Sequence, residues 1–560
     1  MKTLSNLKSI FYLSFLLAFT GTIAACTDTG KTEELEELED LQPKGIVAVT
    51  RNVSLSPESV EALLFRVTPS NARFNLEVDS KESAIQLDVR ESSHVDVGAG
   101  VTSPKHYRLK SIEPSSDGNG GVTEGLYTAY IEDLGTLEAY SDKVALVITA
   151  QDDRGGEVRF SSELIEIAAT GIESKGKLPT MYLTTPEDPE APEGRKEINS
   201  KEVWVENCEI RIVKGDGSED LNVSKASLRG RGNSTWGYPK KPFAIKLDKK
   251  EEVLDMPRHK RWVLLANWMD RTLMRNSVAF EIARKTSLAW TPRGEFVEVV
   301  LNGKHLGNYY LCEHIKVDEN RVNIVELDES DTEEPTITGG YLVEMDTYYD
   351  EINKFKTSIR QMPVNIKEPD EDVLNSTQMA YIEGYFNRIE TLLYDDNPPE
   401  GESYTDYMDV ASFIDWWLVH ELTLNGEPNH PKSSFMHKDR EGKLFAGPVW
   451  DFDWGTFRPG SNDLLTKNSI WFDKLFQDAD FVAEVKSRWN LLKPEFETVI
   501  DFIEDEADYI RESAEVNSEM WPITINVNGD EKMSFDQAVN RLRTVYRDRI
   551  DLLDRIIDKL

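Results

Sequence analysis

The chain has little that could staple it together. Three cysteines, Cys26, Cys208 and Cys312, are spread over 560 residues. None belongs to a CxxC pair, and no Cys/His spacing suits a structural zinc site. Cys208 and Cys312 read as buried thiols, with a disulfide open to them only in an oxidising compartment. Histidine is also scarce: the eight present are scattered, so no Ser-His-Asp triad can be drawn. His420, in "HELTLN", has no second histidine at Leu424, which excludes a zincin helix. Neither a GxSxG elbow nor a GxxxxGK[ST] phosphate loop occurs. "DFDWG" offers too few oxygen ligands for an EF-hand. Basic residues are outnumbered, 64 Lys and Arg against 101 Asp and Glu, for a net charge of -37. That balance argues against nucleic acid or anionic lipid as partner, because both need a basic footprint. Past the N-terminus no apolar run approaches the roughly 18 residues of a membrane span.

What is present is enough to build cores. Hydrophobic residues make up 39% of the chain, with 12 Trp, 22 Phe and 19 Tyr, and the length predicts two or three domains. Lys2 and Lys8 precede an apolar run, Ile10 to Phe19, and small residues end in "TIAAC". This is the pattern of a secretory signal over residues 1–26. Small residues directly before Cys26 resemble a bacterial lipobox, which implies that Cys26 is lipidated; ordinary cleavage near Ala25 is the alternative. Residues 27–45 are acidic and poor in apolar residues, and read as a solvated tether.

Residues 46–170 alternate short apolar runs with turn residues. "VALVITAQDDRGGEVRFSS" reads as strand, turn, strand, and "LLFRVTPSNARFNLEV" as another pair broken at Pro69-Ser70-Asn71. The spacing predicts an immunoglobulin-like β-sandwich with a spacer or binding role. "GIESKGKLP", Gly171 to Pro179, marks a boundary. Beyond it "TMYLTT" and "EVWVENCEIRIV" read as strands. "EFVEVVLNGKHLGNYYLCEHI" is two β-rich runs joined by Asn302-Gly303, a strong hairpin signal. Between them lies "DRTLMRNSVAFEIARK", where Leu273, Ser277, Phe280 and Arg284 fall at helical spacing and Asp270 can cap. Residues 180–346 are therefore expected to form a mainly antiparallel sheet with one inserted helix. "STQMAYIEGYFNRIETLLYDD" and "DVASFIDWWLVHELTLN" read as helices, the second apolar on nearly every side and so buried. "SSFMHKDREGKLFAGPVW" reads as a hairpin. Phe535, Val539, Leu542, Tyr546, Ile550, Leu553, Ile557 and Leu560 mark a last amphipathic helix, with Ser534 and Gln537 as its capping box.

One order of elements carries chemistry. A loop, Gly230-Arg231-Gly232-Asn233, precedes a strand with "FAIK" and Lys246; a helix with Glu281 follows. The Asn-Gly hairpin, two helices and the polar loop "NGEPNHPK" come next, and a second hairpin leads to Asp451 and Asp453. This is the element order of a protein-kinase-like phosphotransferase. Glycines let backbone N–H groups approach phosphate. A strand lysine offsets phosphate charge, and a helix glutamate holds it extended. Asp451 and Asp453 flank Phe452, so on a strand they would share a face and meet a divalent metal. Glu427 can accept a hydroxyl proton. Each residue alone has a plainer reading: a turn for the glycines, a solvated strand position for Lys246, a surface position for Glu281, a solvated turn for Asp451 and Asp453, a loop for Glu427. The ordering informs more than any one of them.

"LRGRGNSTW", "KKPFAIKL", "WVLLANWMDRTLMRN", "TPRGEFVEVVLNGKHLGNYYLCEHI", "NRVNI" and "GPVWDFDWG" resemble the spore-coat CotH kinase family. The resemblance covers roughly Leu178 to Phe457 and leaves the β domain and the C-terminal helices outside. A sandwich followed by such a module resembles surface lipoproteins of the Bacteroides type. The implied fold is α+β: an atypical protein-kinase-like module at 178–475, an immunoglobulin-like sandwich before it, and a helical extension at 476–560. The implied activity is transfer of phosphate from ATP to protein Ser/Thr with Mg2+ (or Mn2+). By motif, Arg229, Gly230, Arg231, Gly232, Asn233 and Lys241 would hold the nucleotide. Lys246 would meet its phosphates with Glu281 behind, Asp451, Asp453 and Asn425 would hold metal, and Glu427 would be the base. The chain departs from the spore-coat pattern in having Glu427 where an Asp is expected. Some relatives on fungal surfaces are adhesins, so a non-catalytic surface binder on the same scaffold is one alternative, and a carbohydrate-associated phosphoryl-transfer enzyme is another. The implied setting is the bacterial cell envelope, with the chain lipid-anchored to the outer membrane, surface-exposed or periplasmic, and facing a protein substrate or surface ligand.

Overall fold

The computed structural model describes residues 178–191 and 194–560, together with segments between residues 45 and 169. The signal segment, Cys26 and the acidic stretch through residue 44 lie outside the described residues. So does the second strand expected in "LLFRVTPSNARFNLEV".

Among the described residues eight strands come first: β1 (Gly45–Ala48), β2 (Asn52–Leu55), β3 (Val60–Thr68), β4 (Ala84–Asp88), β5 (Tyr107–Pro114), β6 (Leu126–Asp133), β7 (Tyr140–Gln151) and β8 (Glu157–Ala169). They form two four-stranded sheets, ordered β1-β3-β6-β5 and β2-β8-β7-β4. Alternate residues of β3, Leu63, Phe65 and Val67, are buried, as period-two patterning requires. β7 and β8 pair antiparallel as their sequence predicts, whereas β2–β8 and β4–β7 are parallel.

Seven strands then close into a barrel. They are β9 (Thr180–Thr184), β10 (Val205–Val213), β11 (Glu219–Gly230), β12 (Phe243–Val253), β13 (Met256–Leu265), β14 (Gly294–Leu301) and β15 (Lys304–Glu313), in the order β10-β11-β12-β13-β15-β14-β9. Only the β9–β14 pair is parallel among these neighbours. Asn302 and Gly303 both take positive φ, 53° and 82°, which is what a two-residue turn with the strand's own twist demands. Two cores share the barrel wall. Trp262 and Leu264 of β13, with Tyr309 and Leu311 of β15, fill the barrel. Their neighbours Val263, Leu265, Tyr310 and Cys312 face outward into a second core.

That second core holds helix α1 (Arg275–Arg284), inserted between β13 and β14, and a five-stranded antiparallel sheet. The sheet contains β16 (Tyr341–Met345), β17 (Lys354–Lys356), β18 (Pro363–Glu368), β19 (Ser434–Lys438) and β20 (Leu444–Ala446), ordered β17-β18-β16-β19-β20. Helices α2 (Ser376–Tyr394), α3 (Val410–Thr423), α4 (Phe472–Leu475), α5 (Ala479–Met520) and α6 (Phe535–Asp558) complete it. α3 is buried from Ser412 to Thr423, as its all-round apolar sequence predicts. Ser534 and Gln537 form the capping box of α6. Among the described residues no helix is long and apolar enough to cross a membrane.

Three expectations need correction. The sheet expected over 180–346 is a closed barrel, and its last strand, β16, belongs to the other sheet. Asp270 does not cap α1, whose N-cap is Met274 without a side-chain bond. Its carboxylate instead receives Thr272 N–H, Thr272 Oγ1 and Arg275 N–H, tying off a turn before the helix begins. Finally, the C-terminal helices expected to pack on the kinase-like module, α5 and α6, share its core. Phe481, Trp489, Phe496 and Ile503 of α5, with Leu542, Tyr546 and Ile550 of α6, lie in the same core as α1, α3 and β16. Cys208 and Cys312 are free and buried, and burial pushes the Cys208 thiol up to about 11.

One buried ion pair ties α6 to α3. The Glu421 carboxylate accepts from Leu465 N–H, Thr466 N–H and Thr466 Oγ1, and pairs with Arg549; both residues are at most 2% exposed. Arg549→Met would leave that carboxylate without its counter-charge. The expected loss of stability is about 3–5 kcal/mol. In urea denaturation the midpoint should fall while the slope holds; a loss under about 1 kcal/mol would mean the pair is replaceable.

Candidate functional site

A cleft of about 1300 Å³ opens between the barrel and the five-stranded sheet. Its barrel side begins where β11 runs out. Gly230 packs against Trp236, so closely that a Cβ there would lie 2.3 Å from the indole. Gly232 has φ +82°, and a Cβ on it would meet Thr235 Oγ1 at 1.9 Å. The glycine spacing is thus demanded by the loop's own Trp and Thr, and it sets Arg229 and Arg231 into the cleft wall. The partly buried Arg231 guanidinium lies 5.5 Å from the Trp450 ring centroid, and its charge is felt by both Asp451 and Asp453. Asn233 also lines the cleft, its Oδ1 accepting from Lys201 Nζ at 2.9 Å.

The opposite side is built by "DFDWG". This segment is a loop after β20, not a strand. Phe452 is fully buried and meets Phe280 of α1 edge-on, with Trp450 stacked on the same ring. Asp451 has φ 68°, a left-handed backbone that needs external support in a residue other than glycine. Three asparagines give that support. Asn276 Oδ1 accepts Phe452 N–H at 2.8 Å. Asn425 Nδ2 donates to Asp451 O at 3.4 Å, while its Oδ1 accepts Glu427 N–H at 3.0 Å. Asn528, from the α5–α6 connector, donates to both Asp453 O and Met269 O and accepts from Gly455 N–H. Nearby, Asp530 and Asp270 flank Arg275 in a buried triad.

These braces hold three carboxylates together. Burial, reinforced by the neighbouring Asp451 charge, raises the Asp453 carboxyl well above the usual range. Glu427 starts a short 3-10 turn at Glu427–Asn429. Burial and then the Asp451 charge raise its carboxyl too, with Lys432 opposing. Its Oε2 is buried and has no hydrogen-bond partner. Among the described residues no group of three or more His, Cys, Asp or Glu side chains is arranged to enclose a metal. Magnesium, however, is commonly held by one or two carboxylates and completes its shell with water and substrate phosphates. Asp451 and Asp453, crowded and short of counter-charge, fit that use.

Not every expected residue reaches the cleft. Arg229, Gly230, Arg231, Gly232, Asn233, Glu427, Asp451 and Asp453 line it. Lys246 is exposed on β12 outside the lining. Glu281 pairs with Arg284 and Lys285 of its own helix, at 2.9 and 3.3 Å, instead of with Lys246. Lys241 is turned away: its Nζ donates to Trp236 O at 2.7 Å, bracing the loop. Asn425 is buried behind the carboxylates as a backbone brace. The sequence reading missed Trp204, Arg261, Asn276 and Asn528. Asn276 closes the quoted stretch "WMDRTLMRN" and Trp204 lies in "EVWVENCEIRIV", read only as a strand, so both were within reach; Arg261 and Asn528 carry no local pattern.

Asn528 acts on the site only through the backbone it holds. Asn528→Ala should weaken Mn2+ binding about tenfold or more, as loss of a residue behind metal ligands commonly does. The free-ion electron paramagnetic resonance signal measures this, with circular dichroism as the fold control. A change under about twofold would remove Asn528 from a positioning role.

No curated protein matches the chain. A family model described as CotH kinase protein matches residues 228–553, which takes in the barrel from the end of β11, the whole cleft wall of carboxylates, α5 and most of α6. The C-terminal helices, expected to lie outside the resemblance, are inside the match. On a match over more than half its length, the chain belongs to the CotH kinase family.

Proposed function

We propose that this protein is a phosphotransferase that moves phosphate from ATP to serine or threonine hydroxyls of proteins, with Mg2+ or Mn2+. The observation that carries the reading is the pairing, in one cleft, of Arg231 with the crowded carboxylates Glu427, Asp451 and Asp453. A divalent cation at Asp451 and Asp453 would offset both their charge and that of the phosphates. Arg231 would steady a phosphate oxygen from the other wall. Glu427 Oε2 would take the acceptor proton as the hydroxyl oxygen bonds to the terminal phosphorus and the bond to the bridging oxygen breaks. A cation held by Asp451 and Asp453 would offset the Asp451 charge, which after burial is the second cause of the raised Glu427 carboxyl, and so would favour Glu427 as a base. Family membership supports kinase-like chemistry. The signal-like N-terminus and Cys26 favour a lipid-anchored place in the cell envelope, at the outer membrane, with proteins as the acceptors. A second reading, a surface protein that binds without catalysis, is favoured by one observation: Lys246 and Glu281 do not pair.

Thermal unfolding separates the two. Mg–ATP at about 100 times its Kd should add about 2.7 kcal/mol to stability, with little effect from Mg2+ or ATP alone. No joint shift would favour the binder. Asp451→Asn should abolish autophosphorylation while the protein remains folded; an unchanged phosphate signal would remove Asp451 from the chemistry.

A further inference from the structure

Lys246 leaves a task undone. In the phosphotransferase reading, something on the barrel must offset phosphate charge, and that lysine is exposed outside the cleft. The strand register points elsewhere. Arg229 of β11 stands opposite Ala244 of β12, and Arg261 of β13 stands opposite Lys246. Ala244 and Lys246 are two apart on one strand, so all four share a face. Arg229 and Arg261 are then diagonal neighbours across β12, and the small Ala244 side chain leaves room between them.

Trp204 joins the two. Its ring centroid is 4.5 Å from the Arg229 guanidinium carbon and 5.2 Å from that of Arg261. All three line the cleft. The acids that act on Arg261, Asp370 and Glu368, are both taken by Lys316, at 3.7 and 2.6 Å. Arg229 Nε is buried without a hydrogen-bond partner. Burial and then the Arg229 charge lower Arg261. His314, also in the lining, is pushed well below the usual imidazole range, first by burial and then by the Arg231 and Lys316 charges. Like charges kept close in a half-dry wall repel unless an anion joins them. An indole that takes up the guanidinium faces leaves the N–H edges free, and those edges are the forks that grip phosphate oxygens.

We infer that Arg229, Trp204 and Arg261 form a polyphosphate subsite, continuous through Arg231 with the carboxylate pole, and that it does the work expected of Lys246. This rests on the phosphotransferase reading and names the groups that read its nucleotide substrate.

Calorimetric titration of the full chain with Mg–ATP and Mg–tripolyphosphate tests it. Arg229→Gln and Arg261→Gln should each weaken both ligands about tenfold or more, the worth of a hydrogen bond to a charged group. Arg229→Lys and Arg261→Lys keep the charge but lose the fork, and should fall between wild type and the glutamine variants. They also stand in if a glutamine variant does not fold, which ligand-free melting reports. Lys246→Gln should stay within about twofold of wild type. The inference is overturned if both arginine variants bind as wild type does, or if Lys246→Gln loses as much as they do. If wild type binds neither ligand, the phosphotransferase reading falls, and the subsite with it.

Discussion

The cleft depends on holding like charges together against their own repulsion. On one wall Glu427, Asp451 and Asp453 crowd one another. On the other, Arg229, Arg231 and Arg261 do the same. Neither wall would keep its shape if the side chains alone held it. The carboxylates are fixed through their backbone by Asn276, Asn425 and Asn528, neutral groups that add no charge of their own. The arginines are fixed by strand register and by indole faces, Trp204 and Trp450. Rigid elements set opposing fields a short span apart, and in the proposed function a metal-chelated polyphosphate would satisfy both.

Elements whose pattern is local were legible in the sequence. The Asn302-Gly303 turn, the buried α3 and the capped α6 each announce themselves within a few residues, because turn geometry and periodicity are local properties. Closure of the barrel was not legible. It requires β9 to pair with both β10 and β14, a long-range event without a signature in either strand. Asp270 shows the limit of capping rules: a carboxylate that can cap a helix can equally knot the turn before it, and the buried Arg275 decides between them.

The site followed the same division. Residues inside contiguous stretches, the glycine loop and the paired aspartates, were found and do line the cleft. Lys246 and Glu281 were placed by analogy of element order, and order does not fix how far along a strand, or on which side of a helix, a cleft will fall. Lys246 sits two residues along β12 from Ala244, enough to put its side chain beyond the cleft. Trp204, Arg261 and Asn528 come from three distant segments, and only tertiary packing brings them in.

The connector between α5 and α6 has a consequence for how the molecule comes into being. Asn528 and Asp530 secure loops that were made some 75 and 255 positions earlier in the chain. Synthesis runs from the N-terminus, so the aspartate loop has Asn276 and Asn425 at hand when it is made but must wait for its third brace, Asn528. A nascent or C-terminally clipped chain can own every chemical group of the cleft and still lack its shape. Competence is thereby deferred until the connector between α5 and α6 has been made.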